Sequence, residues 1–402
     1  MRSGVQRFVG EKLTEARQAR GISSRKALAD LMQRAPSTVI RWEEGETAPE
    51  PAALAELAAM LKVPEDFFLS SRHEENAGPA FFRSFAGALK GERLVQLARL
   101  RWLEDVTALA EHYAFLPEID VPDLLAGRNF KSLRDEDIEA NAAALRDHWG
   151  LGLRPIANVV SLVESHGVIV ASETMETSKL DGLSRWGSDG RPYILLANDK
   201  QSFARRQFDA AHELAHLALH RRVDETDFEE NFKLIEDQAH KFASAFLLPA
   251  EQFCVEVDNI TMWELERLKV RWRVSIKAQI MRLNRLNIID SEMSQRLYKA
   301  YSARGYQSKG EPYDDIWPLQ HPSTLADVFV ALVDSGQLSK EALRDDLPLL
   351  PHDVESLTGL TPGWLSAAPA KIVAFKSDIT SRRSTQPATS ADIINLPPKR
   401  GK

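Results

Sequence analysis

The sequence contains one stretch whose residue types and spacing could support hydrolysis, the H-E-x-x-H run from His212 to His216. On a helix, the two histidines project from one face, one turn apart. Two neutral imidazoles at that spacing can take two corners of a tetrahedral zinc site. Glu213 is not a ligand, but it can reach a water that the metal activates, as the general base of a metalloprotease does. The five-residue motif alone leaves open a helix that carries two histidines by chance.

A third ligand is needed, and residues 235–249 supply a candidate on a second strongly helical pattern. Glu236 is predicted at the start of that helix, with His240 one turn later on the same face. A glutamate there would complete a two-histidine site and leave the fourth position for water. The alternative is a carboxylate that the macrodipole stabilises at a helix N-terminus. His220 reaches a tetrahedral corner poorly, so we expect it to support a ligand or to face solvent.

Helices and strands around these residues must position them. The hydrophobic periodicity predicts amphipathic helices before the motif and a small sheet of about three strands, followed by the helix that carries the two histidines. An edge strand of such a sheet could hold an extended peptide by strand addition, and residues 192–197 are the candidate for that edge. The predicted segments are helices at 92–113, 135–149 and 155–166 and strands at 168–171, 180–186 and 192–197.

A longer pattern surrounds the motif within roughly residues 140–290. It consists of Asp181-Gly182, Tyr193 to Asn198, Arg205 to His220, and Glu236-x-x-Ala239-x-x-Phe242-Ala243-x-x-x-Leu247-Leu248-Pro249. This pattern resembles the ImmA/IrrE family of zincin-like metallo-endopeptidases. Several members of this family cleave a helix-turn-helix repressor.

The resemblance implies a Zn²⁺ cofactor held by His212, His216 and Glu236, with Glu213 as the catalytic base. The chain departs from the family at His240, where Asn is common. A histidine there could bond a ligand or the oxyanion, or compete for the metal. His240 or Tyr193 could donate to the oxyanion.

A second pattern lies near the N-terminus, where residues 8–69 predict five short helices. Ser23 or Ser24 is the expected N-cap of the second helix, and Pro36 begins the third. Two short helices joined by three or four residues form a helix-turn-helix, whose second helix enters the major groove of DNA. Residues 17–41 contain six basic residues and one acidic residue, a local charge of +5 that suits phosphate contacts.

Four parts of this region form a recognisable pattern: Leu28-Ala29, Ser37 to Gly45, Pro49, and Val63 to Phe68. The pattern is similar to that of the lambda-repressor-like XRE family of DNA-binding domains. It implies that the bases of a double-stranded DNA operator are read by Ser24, Pro36, Ser37, Thr38 and Arg41, with Arg34 as an added candidate. Gln33 and Arg34 depart from the Gly and apolar residue usual in the turn. A helical protein-interaction module is the alternative.

The composition limits the class of protein. The 402 residues are 44% hydrophobic and 27% charged, as in ordinary globular chains, and include a single cysteine, Cys254. The net charge of −7 argues against non-specific nucleic-acid binding by the whole chain, so any DNA contact must be local. We find no apolar run of membrane-spanning length and no secretion signal, and we expect a cytoplasmic location without membrane partners.

The expected fold class is mainly α with a small β-sheet (α+β): an N-terminal five-helix helix-turn-helix domain, a zincin-like domain and C-terminal helices. A helix at 92–113 could pack into the core or form the seam of a homodimer. Residues 265–283 mimic a second helix-turn-helix, for which packing is the favoured role. The predicted parts are a helix-turn-helix domain (8–69), a linker and long helix (70–118, with a hinge at 70–78), a peptidase domain (119–255), a helical extension (256–310), a C-terminal helical segment (311–375) and a disordered tail (376–402).

The favoured function is a DNA-binding transcriptional regulator with a zinc endopeptidase. It would cut a helix-turn-helix repressor or its own linker. The alternative is a non-proteolytic transcription factor or antitoxin in which the metal domain is a sensor or scaffold. A metal site without catalysis has no need of Glu213, which favours the peptidase. A place in a phage-defence or mobile-element system is neither supported nor excluded.

Overall fold

A computed structural model describes most of the chain, namely residues 5–69, 80–82, 90–175, 181–198 and 202–366. The predicted hinge at 70–78 and the predicted disordered tail at 376–402 lie outside these ranges.

The fold is mainly helical with one small sheet, as the sequence predicts. The strands are β1 Phe81–Phe82, β2 Ile169–Glu173, β3 Gly182–Trp186 and β4 Pro192–Ala197. Short 3-10 helices cover Glu65–Leu69 and Phe130–Ser132. The α-helices are α1 Gly10–Ala19, α2 Arg25–Leu31, α3 Pro36–Glu43, α4 Pro51–Leu61, α5 Lys90–Tyr113, α6 Asp135–His148, α7 Val159–Ser165, α8 Phe203–Leu219, α9 Glu225–Leu247, α10 Ala250–Glu256, α11 Met262–Trp272, α12 Ile276–Arg285, α13 Ser291–Ala303, α14 Tyr306–Lys309, α15 Thr324–Asp334, α16 Lys340–Asp346 and α17 Pro351–Thr358.

The N-terminal helices form the expected helix-turn-helix. Ser24 is the N-cap of α2 and accepts a hydrogen bond from the Ala27 amide, while Pro36 occupies the first turn of α3. Gln33, in the turn between the two helices, has a φ of 53°. This is the left-handed conformation, which glycine adopts more readily than any other residue.

The sheet has the strand order β1-β3-β4-β2. β4 pairs in parallel with β2 on one side and antiparallel with β3 on the other. The prediction that residues 192–197 form the sheet edge is therefore wrong, because both sides of β4 are hydrogen-bonded within the sheet. On the far side of β3, the two residues of β1 form an additional antiparallel strand that the sequence patterns did not indicate.

Two hydrophobic cores lie on opposite faces of this sheet in the described part of the chain. Alternate residues of β4 divide between them, with Ile194 on the face of α8 and Leu195 on the opposite face. The opposite face packs against buried residues of α5, α15 and α17. α5 also packs on α1, with Trp102 fully buried, so its apolar side is core.

Helix α9 is longer than the sequence predicted. It begins at Glu225, where the side chain of Asp224 caps the first turn, and it contains a non-helical residue at Asn231. Asn231 breaks the helix into two segments, and Glu236 lies just over one turn into the second segment. Position alone therefore leaves open the explanation of Glu236 as an N-terminal carboxylate, while its contacts with His212 and His216 favour the role of a ligand.

The second helix-turn-helix mimic is formed by α11 and α12, with Ser275 as the N-cap of α12. Gln279 and Arg282 of α12 are buried and bond to main-chain carbonyls at Leu265 and Leu248. These side chains are committed to packing, which is the role that the sequence favoured. Within the described ranges, no helix has the length and apolar character needed to cross a membrane.

Candidate metal centre

Helices α8 and α9 bring three side chains of the predicted site together. His212 Nε2 and His216 Nε2 lie 3.1 Å apart. Glu236 places one carboxylate oxygen 3.4 Å from His212 Nε2 and the other 3.2 Å from His216 Nε2. Across the described ranges, these three residues are the one His/Cys/Asp/Glu group whose ligand atoms cluster closely enough to hold a metal ion.

The spacing of these atoms fits a tetrahedral Zn²⁺ ion. With bonds of about 2.0–2.1 Å, the ligands of a tetrahedral zinc ion are separated by about 3.3 Å. The two histidine nitrogens are 3.1 Å apart, close to that value, and each lies within 3.4 Å of a different oxygen of the Glu236 carboxylate. Two imidazoles and one carboxylate also form the donor set of catalytic zinc sites that keep one position open.

The surroundings of Glu236 favour its ionised form, which is the form that binds a metal ion. Burial raises the pKa of its carboxyl group, but hydrogen bonding to His212 and His216 outweighs burial and holds the pKa well below its ordinary value. Glu236 is therefore ionised, and its charge partly balances that of a bound cation.

Two buried side chains, His220 and Gln238, form a series of hydrogen bonds that starts at Nδ1 of His216. His216 Nδ1 lies 3.1 Å from Nδ1 of His220, and His220 Nε2 lies 3.0 Å from Oε1 of Gln238. The Gln238 amide donates to the Phe130 carbonyl at 2.8 Å, which fixes the orientation of the amide. When His216 binds a metal through Nε2, it can donate its Nδ1 proton to His220, and His220 donates to Gln238.

This role requires a neutral His220. Burial, followed by the nearby His216, lowers the pKa of His220 to about 3, so the ring is uncharged at neutral pH. α8 ends at Leu219, and His220 is the C-cap residue, with its ring buried beside His216. The expectation that His220 supports a ligand agrees with this position, and the solvent-facing alternative is wrong.

Strand β3 positions Glu213. Ser184 Oγ donates to Glu213 Oε2 at 2.7 Å. A Cβ atom added at Gly182 would lie 3.0 Å from Glu213 Oε1, so the absence of a side chain there lets the strand approach the carboxylate. Further along β3, the Trp186 indole donates to the Leu217 carbonyl, which ties the strand to the end of α8.

The two oxyanion candidates lie in different places. The His240 ring centroid is 4.6 Å from that of His212, and His240 is itself partly exposed. Tyr193 belongs to the core on the face of the sheet opposite α8, and its hydroxyl donates to Asp189. Burial and the adjacent Asp189 raise the pKa of Tyr193 far above its ordinary value. The structure does not bring Tyr193 to the triad, because β4 turns this side chain away.

The predicted DNA-reading residues lie near one another at the start of α2, in the turn and along α3. Thr38 is partly buried, and the others are exposed: Ser24, Arg34, Pro36, Ser37 and Arg41. Arg34 pairs with Glu56 and lies over the Trp42 ring, and Arg41 is 3.7 Å from Glu46.

The basic character of this region is lower than the sequence count suggested. Arg17 is buried and bonds to Glu43, which also accepts from Arg25. Arg20 pairs with Asp353, far along the chain. The local charge of +5 is therefore largely neutralised by acidic residues outside the counted stretch, and Arg34 and Arg41 remain the exposed cations of the turn and of α3.

Comparisons with known families agree with both the metal centre and the helix-turn-helix. Residues 163–284 match the peptidase M78 family model, described as the IrrE N-terminal-like domain. Residues 13–68 match a helix-turn-helix family model. No curated protein matches the chain. The chain thus joins an XRE-type helix-turn-helix domain to an IrrE/ImmA-like metallopeptidase domain, which confirms the predicted fusion.

Sequence reasoning missed three residues at this site. Ser184 and Gln238 reach Glu213 and His220 through side-chain hydrogen bonds, and Phe81 stacks on His216. A small alternation signal in β3 could have placed Ser184 on the face of α8. Nothing in the local sequence links Gln238 or Phe81 to the motif.

Proposed function

We propose that the chain is a DNA-binding transcriptional regulator that carries a Zn²⁺-dependent endopeptidase. The protein substrate is a helix-turn-helix repressor or this chain itself, and its cleavage changes gene expression. The ligands are His212, His216 and Glu236, and the catalytic base is Glu213. The domain limits that we propose are 8–69 for DNA binding and 119–255 for the peptidase, with 256–310 as its helical extension.

One observation carries the proposal: the ligand atoms of two histidines and one glutamate cluster within 4.8 Å of one another, beside a carboxylate that is not a ligand. Glu213 is buried and receives a hydrogen bond from Ser184. A site that only senses or stores a metal gains nothing from a second buried carboxylate held in this way, whereas hydrolysis needs a base.

Zn²⁺ bound by the triad would lower the pKa of a water molecule and polarise the peptide carbonyl. Glu213 accepts the proton of that water as its oxygen bonds to the carbonyl carbon. The C–N bond then breaks, and Glu213 returns the proton to the leaving amine. Ser184 keeps the carboxylate aimed through both transfers. His240 is the candidate donor to the oxyanion, since its ring lies beside His212.

The helix-turn-helix domain at 8–69 would direct the protein to DNA and so account for a regulatory role. Exposed residues of α3 and the turn would contact an operator, with Arg41 as the principal cation. A protein that binds chromosomal DNA acts in the compartment that holds it, and for a bacterial-type regulator we propose the cytoplasm. A homodimer would suit a palindromic operator and is part of this proposal.

Metal analysis and proteomics test the proposal together. The purified wild-type chain should hold about one zinc ion, and His216→Ala should lose it. Glu213→Gln should keep zinc, since Glu213 is no ligand, but should abolish the new protein termini that wild-type expression produces in cells.

Two results would contradict it. Unchanged zinc in His216→Ala would rule out the site, and persistent cleavage by Glu213→Gln would remove Glu213 as the base. Cells that express the wild type, cells that express Glu213→Gln and cells that lack the protein could also show the same set of protein termini. That result would favour the non-proteolytic sensor or antitoxin.

A further inference from the structure

Strand β1 pairs with the part of β3 that contacts the catalytic carboxylate. Phe81 pairs with Ser184 and Phe82 with Leu183, in the antiparallel direction. Ser184 is the residue that donates to Glu213. The chain segment that joins the DNA-binding helices to α5 therefore supplies an extended strand to the part of the sheet nearest the metal triad.

The Phe81 side chain fills a pocket built from residues of the site. Its ring stacks on His216 with a centroid separation of 5.0 Å and an interplanar angle of 3°. It also contacts His220, and it meets Phe228 edge-on at 5.2 Å. Phe81 is only 1% exposed, so the ring occupies this pocket fully.

An endopeptidase must hold its substrate as an extended chain beside the base and the metal, and pairing with a sheet edge is the usual physical means. β2 pairs with β4 at the other end of the sheet, so β3 is the strand nearest the triad that an added peptide could meet. In this chain, β1 already holds that position. In the described part of the chain β1 covers two residues, whose pairing with β3 involves few backbone hydrogen bonds that a competing peptide would have to replace.

We infer that residues 80–82 are a displaceable occupant, in cis, of the substrate-binding edge. The inference rests on the proposed function and assigns the substrate class: an extended polypeptide segment that pairs antiparallel with β3 and places an aromatic side chain against His216. Release of β1 exposes this edge, so occupancy of the edge by residues 80–82 controls access to the peptidase.

The test measures binding of a peptide, so that it does not depend on catalysis. The probe is a fluorescein-labelled peptide of residues 78–85, titrated by anisotropy into zinc-loaded full-length protein carrying Glu213→Gln, which prevents cleavage. Adding Phe81→Ala to the protein should tighten peptide binding at least tenfold. A probe peptide with both phenylalanines of β1 changed to alanine should lose the gain.

Control variants separate competition from loosening of the fold. Phe253→Leu alters another fully buried ring, which meets Trp272 edge-on at 5.8 Å, and it should leave peptide affinity unchanged. Phe81→Leu keeps an apolar side chain in the pocket but loses the stacking, and it should give a smaller gain than Phe81→Ala.

Equal affinity of the parent and a folded Phe81→Ala protein would overturn the inference, as would an equal gain from Phe253→Leu. Failure of both Phe81 variants to fold would also overturn it, because β1 would then be a fixed part of the core. A different result would separate the two proposals. If the Phe81→Ala, Glu213→Gln protein binds the peptide, but the Phe81→Ala protein with Glu213 intact does not cleave it, then β1 occupies the edge as inferred and the endopeptidase proposal fails.

Discussion

His216, His220 and Gln238 form a series of hydrogen-bonded side chains. We predict from it that Gln238, which is not a metal ligand, affects the affinity of the site for zinc. Gln238→Met keeps the length of the side chain but removes its acceptor for His220 and its donor to the Phe130 carbonyl. His220 then loses the contact that fixes its ring, and Nδ1 of His216 loses an oriented acceptor. We expect weaker zinc binding with the three ligands intact.

The magnitude follows from the position of the broken bond. Loss of a hydrogen bond to a metal-ligating histidine costs roughly 10–100-fold in metal affinity. Gln238 acts through His220 and not directly on His216, which favours the lower end, about tenfold or about 1.4 kcal/mol. The free energy of unfolding of the metal-free protein should also fall by about 1–3 kcal/mol, because buried polar groups of His220 and Phe130 lose their partner.

Competition with a chromophoric zinc chelator measures the affinity, and chemical unfolding of the metal-free protein measures the stability. Gln279→Met is the matched control, since Gln279 is also fully buried and donates to the carbonyls of Leu265 and Val274 in α11 and the following turn. It should lower stability by a similar amount and leave zinc affinity unchanged. Zinc affinity of Gln238→Met within twofold of wild type, or an equal loss in both variants, would refute the argument.

Three further predictions concern the base, the DNA surface and the turn. Ser184→Ala should retain zinc and lower the turnover rate about tenfold, since Glu213 loses a hydrogen bond of about 1.5 kcal/mol; an unchanged rate on a substrate that the wild type cuts would show that Ser184 does not position the base. Arg41→Ala should weaken operator binding by about 1–3 kcal/mol in a gel-shift titration, whereas Arg296→Ala, which alters another exposed arginine, should not; equal affinity would move the DNA surface elsewhere. Gln33→Gly should raise the free energy of unfolding by up to about 1 kcal/mol in urea titrations, because glycine relieves the positive φ; a loss of stability would mean that Gln33 makes contacts that outweigh the strain.

The ligand set was within reach of sequence reasoning because helical spacing is local information. His212 and His216 share a face on any α-helix, and the apolar pattern of α8 leaves little doubt about the helix. The pairing with Glu236 required a second helix, which the structure extends back to Glu225 through a kink at Asn231 that the sequence did not predict. Its identity as a ligand candidate depended on the family pattern and on no rule of spacing.

Sheet order lay beyond the sequence patterns because strand pairing depends on distant segments. β4 is apolar throughout, which suits a strand buried on both sides, yet its partners are set by a parallel crossover from β2 and a turn from β3. The two residues of β1 are too few to give a periodic signal. The count of charged residues overestimated the basic character of the helix-turn-helix for a related reason. Arg20 pairs with Asp353, which lies more than 300 positions away in the sequence.

The sequence by itself determined the chemistry available to this protein: two histidines one turn apart, a carboxylate beside them and a helix-turn-helix upstream. These features follow from residue types and short spacings, which local backbone geometry turns into positions. Only the tertiary structure decided how that chemistry is held, through Ser184 against Glu213, Gln238 behind His220 and Phe81 over His216. Each of these contacts joins segments that are distant in the chain, and their meeting depends on how the sheet and helices pack as a whole.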